Sequence, residues 1–496
     1  MNHASAEKFK PIRLLLVEAN NMGKWVGGGM PFEVHIPPIG LMYLASSARR
    51  AFPGLEACIV ESSLHCPAEE EYIAILRKFN PTIVGIRSIT FFLEELQRIA
   101  ALTRAHTNAR IIAGGPIVHA YRERLLAEVQ ELDIAVKGEG EQTLAKIIAG
   151  VPLEDIQGIF YRSAGMVAEN VDSPVIQDID NLPFPAYDLI DLDLYQRQLS
   201  YAYNHRRQGI LLTGRGCCYH CTFCFNQWQG LRLRSADNVY AEIKELYEKF
   251  HIRDFYIVDD IFNINLKRAF ALFDLIQFDG LEVRMYFANG LRTDLVTEEF
   301  VDRAVAAGAI WFTYAIESAC DEIQALVRKK IDLSHAHGII GYTQRKGVVV
   351  NISTMFGFPT ETRAQAQETL DWLGTFEMPS LLPYHFCLRC FPGCEITGQA
   401  LQAGWDPRRM DLGSRMSYND LPLGTPTLPK REMNNILLEY HHRFGLANAE
   451  AVDHAVRTLR FSGYSDDEIV HMYSILKRKR ISAIDELLVS RPQPQG

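Results

Sequence analysis

Residues 214 to 227, "GRGCCYHCTFCFNQ", place four of the chain's ten cysteines within eight positions. Thiols this close together can close a disulfide, hold a zinc ion or ligate an iron–sulfur cluster. Cys217, Cys221 and Cys224 form a CxxxCxxC spacing, and Cys218 adds a neighbouring thiol outside it. A structural zinc site expects a fourth Cys or His from a matching second half. His220 adjoins Cys221 in the same tight loop and is awkward in that role. Three thiolates on a 4Fe–4S cube leave one iron without a protein ligand, and an open position is a reactive one, as catalytic zinc differs from structural zinc. A second group, Cys387, Cys390 and Cys394 in "CLRCFPGC", reads either as an auxiliary cluster or redox pair, or as thiols alternating along a last strand. Cys58 and Cys320 read as small buried apolar residues.

The elements that must position these thiols follow from the rest of the chain. Its 496 residues exceed one ordinary core and suggest two or three domains. The 48% hydrophobic and 22% charged content is that of a soluble globular protein. A net charge of -9 and no basic stripe argue against a nucleic-acid surface. The basic run "LKRKR" (476 to 480) follows a capping box at Ser465 and Glu468 and reads as a helix C-terminus. Apolar runs fall well short of the ~18 residues that span a bilayer, and "MNHASAEKFKPIR" has no signal-peptide core. A cytoplasmic location is expected, with no membrane span, and there clustered thiols favour metal over disulfide.

From residue 12 to 149 short apolar strand runs alternate with amphipathic helical patterns, as in "IRLLLVEA", "TIVGIRSI" and "ARIIAGG". This implies a parallel sheet covered on both faces, an α/β doubly wound, Rossmann-like domain spanning 1–150, with its ligand at the carboxyl ends of the strands. "NLPFPAYDLID", stiffened by Pro183 and Pro185, reads as part of a linker over 151–200. A second alternating series over 201–400 holds about six β/α units, enough for a partial or full barrel. The cysteine cluster follows its first strand, on the face where such barrels carry their chemistry. Residues 401–496 are expected to be a mostly helical C-terminal domain.

The cluster spacing, with aromatic Phe223 before the last cysteine and a barrel strand ahead of it, resembles the radical S-adenosylmethionine superfamily. The resemblance implies that Cys217, Cys221 and Cys224 hold a 4Fe–4S cluster whose open iron binds S-adenosylmethionine and cleaves it to a 5'-deoxyadenosyl radical. Further matches lie in family order. "FYIVDDIF" offers Asp259 and Asp260, "NGLRTDL" offers Arg292, and "YAIESACDEIQALVRKK" offers Glu317 and Ser318 toward the same cofactor. "FGFPTET" (356 to 362) resembles the family's turn of that kind.

Residues 11 to 150 resemble the cobalamin-binding domain that precedes the barrel in one class of that superfamily. The pieces are "PPIGLMYLA" with Pro38 and Gly40, "VGIRSIT" with Ser88 and Thr90, "AGGPIVHA" with Gly114, Gly115 and Pro116, and "KGEGEQTL" with Gly138, Glu139 and Gly140. Glycines there permit close backbone approach to a large ligand. The D-x-H-x-x-G motif of base-off cobalamin domains is absent, and His65 or Cys66 in "ESSLHCP" is the loop side chain nearest in sequence to that role.

Together these resemblances imply a cobalamin-dependent radical enzyme that methylates an unactivated carbon of a small-molecule or peptide substrate. Its cofactors would be a 4Fe–4S cluster, S-adenosylmethionine and cobalamin, with an external electron donor such as flavodoxin or ferredoxin. Tyr384, His385 and Arg389, near the last barrel strand, are the candidate substrate contacts. Two alternatives stay open: a non-methylating cyclisation or rearrangement, and a non-catalytic cobalamin or cluster sensor.

Overall fold

The computed structural model describes residues 11–20, 35–90, 92–198, 200, 202, 204–225, 230–376, 385–406, 424–444 and 449–474. "LKRKR", Tyr384 and the tail lie outside them. The chain divides into two compact units, the first running to Asp191 and the second taking up the chain from Leu192.

In the first unit the order is β1 (Arg13–Glu18), α1 (Ile39–Ala51), β2 (Glu56–Glu61), α2 (Ser62–His65), α3 (Glu69–Phe79), β3 (Ile83–Arg87), α4 (Leu93–His106), β4 (Arg110–Gly114), α5 (Pro116–Tyr121), α6 (Arg124–Glu128), β5 (Ile134–Val136), α7 (Gly140–Ile148), β6 (Ile159–Ser163) and β7 (Met166–Glu169). The sheet order is β2-β1-β3-β4-β5-β6-β7. The first five strands are parallel, and β6 and β7 add antiparallel. Leu14 to Val17 of β1 are all buried, because helices cover both faces of a parallel sheet. Helix α3 carries three glutamates in its first turn and Arg77 and Lys78 in its last, matching the helix dipole, and ends at left-handed Asn80.

The domain thus extends past residue 150. Ala164 and Gly165, both at positive φ, make the tight two-residue turn that joins β6 to β7, so part of the expected linker is sheet.

The second unit continues with α8 (Leu192–Gln196), β8 (Gln208–Leu211), β9 (Gly214–Arg215), β10 (Arg232–Leu233), α9 (Ala236–Lys249), β11 (Asp254–Ile257), α10 (Leu266–Phe278), β12 (Arg284–Leu291), α11 (Glu298–Ala306), β13 (Ala309–Glu317), α12 (Asp321–Leu326), α13 (Leu333–Arg345), β14 (Val349–Phe356), α14 (Arg363–Leu373), β15 (His385–Cys387), α15 (Glu395–Gln402), α16 (Lys430–Phe444) and α17 (Ala449–Phe461). Six parallel strands in the order β15-β14-β13-β12-β11-β8 form a partial barrel. The described C-terminal helices group with this unit rather than forming a third. The capping box at Ser465 and Glu468 is formed, each side chain bonding the other residue's backbone N–H.

Candidate functional site

The cysteine loop is fastened at its start by Asp259, just beyond β11. That carboxylate accepts the Thr213 N–H at 2.6 Å and the Thr213 hydroxyl, with Arg268 3.9 Å away. Burial raises Asp259 to about 6, with Arg268 and the Thr213 and Gly214 donors opposing the rise. Its neighbour Asp260 is exposed and accepts the backbone N–H of Gly216, the positive-φ residue that turns the chain into the cysteines. Asp259 is therefore engaged in holding two adjacent strand ends together, while Asp260 lies at the loop beside Cys217.

The far side of the loop is held by Thr222, which is buried. Its N–H donates to Val327 O at 3.1 Å, and its carbonyl accepts from Ile396 N at 2.9 Å. Phe223 packs against an apolar cluster containing Cys320, Phe358, Leu388, Cys390, Cys394 and Ile396. Burial pushes the Cys390 thiol up to about 12 and Cys394 to about 11. Both thiols are packed into the apolar cluster, as small buried residues are. Cys387, on β15, is likewise raised to about 12 by burial.

The proposed ligands are more open: Cys217 and Cys221 are half-buried and Cys224 is exposed. Cys221 and Cys224 share a hydrogen bond that lowers Cys221 to about 7, with Lys329 and Arg292 adding positive charge, and raises Cys224, which keeps the proton. Cys217 is raised by burial, and Cys218 is exposed. Three thiols without an imidazole are the soft donor set of an iron–sulfur cluster. Among the described residues no three His, Cys, Asp or Glu side chains are gathered tightly enough for a single metal ion.

Above this loop β13 ends in a bulge, and Glu317 adopts φ 67, a left-handed conformation that is rare for a glutamate and is concentrated at functional sites. Its carboxylate meets Lys329 Nζ at 2.6 Å, both side chains being buried. Lys329 also stands 5.9 Å from the Phe223 ring centre. Arg292 lies 3.7 Å over the Tyr219 ring, donates to Lys329 O at 2.7 Å and pairs with Asp294 at 2.9 Å. Asn263 bonds both the N–H and the carbonyl of Arg292.

The fold thus brings Cys217, Cys221, Cys224, Phe223, Asp260, Arg292 and Glu317 to one strand-end surface. Sequence reasoning missed Lys329, Tyr219 and Thr222; the two consecutive lysines after an amphipathic helix were the available signal for the first.

Ser318 points elsewhere. Its hydroxyl lies 3.2 Å from Thr369 Oγ1 and accepts the Cys320 N–H at 3.2 Å, so it fixes the turn after β13. Arg389 is partly exposed beside Cys387. His385 lies in β15, and Tyr384 is outside the described residues.

In the first unit the candidate cobalamin residues lie at strand ends, where open α/β sheets bind ligands. A Cβ placed on Gly114 or Gly138 would meet nothing within 4 Å, so protein packing does not require glycine by crowding there. Gly138 also has φ +70. Gly115 differs: at φ +89 a Cβ would lie 2.9 Å from Ser88 O, so the fold alone demands it. Gly140 would meet Leu44 Cδ2 at 3.0 Å, a packing requirement between α7 and α1.

Glu139 is buried and accepts Ile176 N at 2.6 Å, holding the irregular segment that follows β7. Ser88 and Thr90 are buried after β3, Pro116 opens α5, and Pro38 precedes exposed Gly40 at the start of α1. Cys66 lies in the apolar core, and His65 Nδ1 lies 3.1 Å from both the N–H and the carbonyl of Glu61.

The family model described as the Radical SAM superfamily matches residues 211–373, and that described as the B12 binding domain matches residues 28–148. An uncharacterized methyltransferase of Pyrococcus horikoshii is 29% identical over 343 residues, 67% of this chain and 72% of the relative. Cytidylyl-2-hydroxyethylphosphonate methyltransferase of Streptomyces wedmorensis is 27% identical over 403 residues, 73% and 74% of the two chains. Anaerobic magnesium-protoporphyrin IX monomethyl ester cyclase of Rubrivivax gelatinosus is 23% identical over 377 residues, 73% of this chain and 66% of the cyclase. Among solved structures, the fold is similar to that of the radical S-adenosylmethionine methyltransferase TsrM from Kitasatospora setae. That match has a TM-score of 0.69 at 18% identity, covering 96% of this chain and all of the other.

Proposed function

The chain belongs to the cobalamin-dependent radical S-adenosylmethionine enzymes, and on that premise we propose that it methylates an unactivated carbon of a small-molecule or peptide substrate. The observation that carries this reading is the loop of Cys217, Cys221 and Cys224 at the end of the first barrel strand, with the Glu317–Lys329 pair above it.

When bound, the cluster, S-adenosylmethionine and cobalamin would supply a carbon-centred radical and a transferable methyl group. The residues of the chain hold and orient them. Cys217, Cys221 and Cys224 would ligate the cluster. The carboxylate of Glu317 and the ammonium of Lys329 stand side by side, complementary to the α-amino and carboxylate groups of an amino-acid moiety. Phe223 backs this surface with an apolar cluster that excludes water. Arg292, braced by Asn263 and Tyr219, fixes the outer side of the loop. Gly114 and Gly138 lie at the first unit's strand ends, where cobalamin would enter. Reducing equivalents would come from a flavodoxin- or ferredoxin-type donor. Among the described residues no helix is long and apolar enough to cross a membrane.

The test is product analysis after anaerobic reconstitution with iron, sulfide and cobalamin, using S-adenosylmethionine and dithionite. Methyl transfer and radical formation consume the cofactor differently, so both S-adenosylhomocysteine and 5'-deoxyadenosine are expected. 5'-Deoxyadenosine alone would favour the non-methylating chemistry of the cyclase relatives. Neither product, from a chain with a loaded cluster, would favour a sensor.

A further inference from the structure

At the carboxyl edge of the first unit's sheet, three charged residues fall in one register row. Glu18 ends β1 and pairs across the sheet with Glu61, the last residue of β2, on one side and Arg87, the last of β3, on the other. The next strand continues the row with Gly114. This is where the order β2-β1-β3 reverses direction, the switch point at which ligands bind in such sheets.

The row is incompletely satisfied. Glu18 is 6% exposed, and one of its oxygens accepts from Arg87 Nη1, while Oε2 is buried without a donor. Burial, outweighing Arg87, raises Glu18 to about 7, with Glu61 adding to the rise. Glu61 is better supplied, receiving Asn20 Nδ2 at 3.1 Å and Ser63 Oγ at 3.3 Å. Arg87 has no acceptor among the described residues other than Glu18, so its other guanidinium N–H groups remain available. Its side chain runs between two glycines already singled out. Its Cγ lies 3.0 Å from a Cβ placed on Gly115, and its Nε lies 3.9 Å from one on Gly40. The side chain remains about one-third exposed, which gives a ligand access to it (33%).

An acceptor oxygen beside an N–H fork is complementary to a neutral group that carries an acceptor and a donor side by side. A primary carboxamide offers a C=O to the fork and an N–H to the oxygen. A phosphate would meet the two glutamates at close range, and an ammonium would meet Arg87. The rim of a corrin ring carries primary carboxamides. We propose that Glu18 and Arg87 form a carboxamide-recognition site for the corrinoid rim, Glu18 taking the amide N–H and thereby excluding acids, and Arg87 the carbonyl. This rests on the cobalamin reading above.

The discriminating probes are hydroxocobalamin and its b-, d- and e-monocarboxylic acids, in which one rim carboxamide is hydrolysed. Binding to the full chain is followed at pH 8 by visible absorbance, without turnover. The unsubstituted chain is expected to bind at least one acid isomer about tenfold or more weakly than cobalamin, since a charged hydrogen-bond partner is worth roughly that factor. Glu18→Gln should collapse that ratio toward one and strengthen binding of the same acid isomer, a gain that misfolding cannot produce. Arg87→Met should weaken cobalamin itself. Equal binding of all three acids and cobalamin to the unsubstituted chain, or a ratio unchanged in Glu18→Gln, would overturn the site while leaving the cobalamin reading intact. Failure of the unsubstituted chain to bind cobalamin at all would remove both.

Discussion

At the amino end of the six-stranded sheet, Asp254 receives Arg284 through both oxygens, the Tyr286 hydroxyl at 2.6 Å and Arg206 at 3.4 Å. Arg206 in turn pairs with Glu468, and Asn204 lies within hydrogen-bond distance of both Tyr286 and Tyr464. Tyr256 and Tyr286 stack at 4.3 Å above this network. At the carboxyl end of the same sheet, the chain holds a glutamate at positive φ, a buried ammonium and a pair of thiols sharing one proton. Both ends pair their charges internally, but only the carboxyl end adds three ligand-spaced thiols, which a cluster would complete. The difference follows the general division of β/α barrels, with stability at the bottom and chemistry at the top.

That division can be broken by substitution at either end. Replacing Cys217, Cys221 or Cys224 with Ala should abolish cluster iron after reconstitution, measured as iron and sulfide per chain, with the thermal midpoint of the unloaded chain little changed. Cys218→Ala should keep its iron, because its exposed thiol lies outside the ligand spacing. Asp254→Asn should do the reverse. Removing the buried carboxylate's charge leaves Arg284, 36% exposed, without its ionic partner while Arg206 keeps Glu468, and costs roughly 1–3 kcal/mol, read by denaturant unfolding, while the folded fraction still loads iron.

Lys329→Met should weaken S-adenosylmethionine binding to the loaded protein by about 10- to 100-fold, the worth of a charge-assisted bond left unmade. Equilibrium dialysis measures it, and unchanged affinity would remove Lys329 from the cofactor surface.

The smallest effect concerns Glu361, in the turn after β14. It accepts the Gly357 and Phe358 N–H groups, but burial outweighs them and raises it to about 7 from an ordinary 4.5. The folded chain therefore keeps a proton that the unfolded chain releases. This contribution to stability is present below about pH 4.5 and is lost as pH rises through about 7. Glu361→Gln should flatten that part of the stability–pH curve, and an unchanged slope would rule out the assignment.

Much of this was legible in the sequence because it is local. The apolar runs of β1, β3 and β4 and the cysteine spacing each sit within a few consecutive residues. The β6–β7 hairpin was also locally encoded, by Ala164 and Gly165 between alternating strands, but the surrounding prolines made the stretch read as linker. What the sequence hid was orientation. Asp259 and Asp260 are adjacent, yet one is buried against Thr213 and the other lies exposed at the loop. Ser318 follows Glu317 directly, but the bulge and positive φ send its hydroxyl to Thr369. Lys329 meets Glu317 only because α12 folds the chain back on itself. The Glu61–Glu18–Arg87 row exists only once three strands pair in register.

The most direct test of the central claim is electron paramagnetic resonance of the anaerobically reconstituted, dithionite-reduced chain before and after addition of S-adenosylmethionine. A 4Fe–4S cluster on Cys217, Cys221 and Cys224 with one open iron should give a signal whose g-values shift when the cofactor binds. A signal indifferent to S-adenosylmethionine, or a loop that purifies with stoichiometric zinc and accepts no iron, would contradict it.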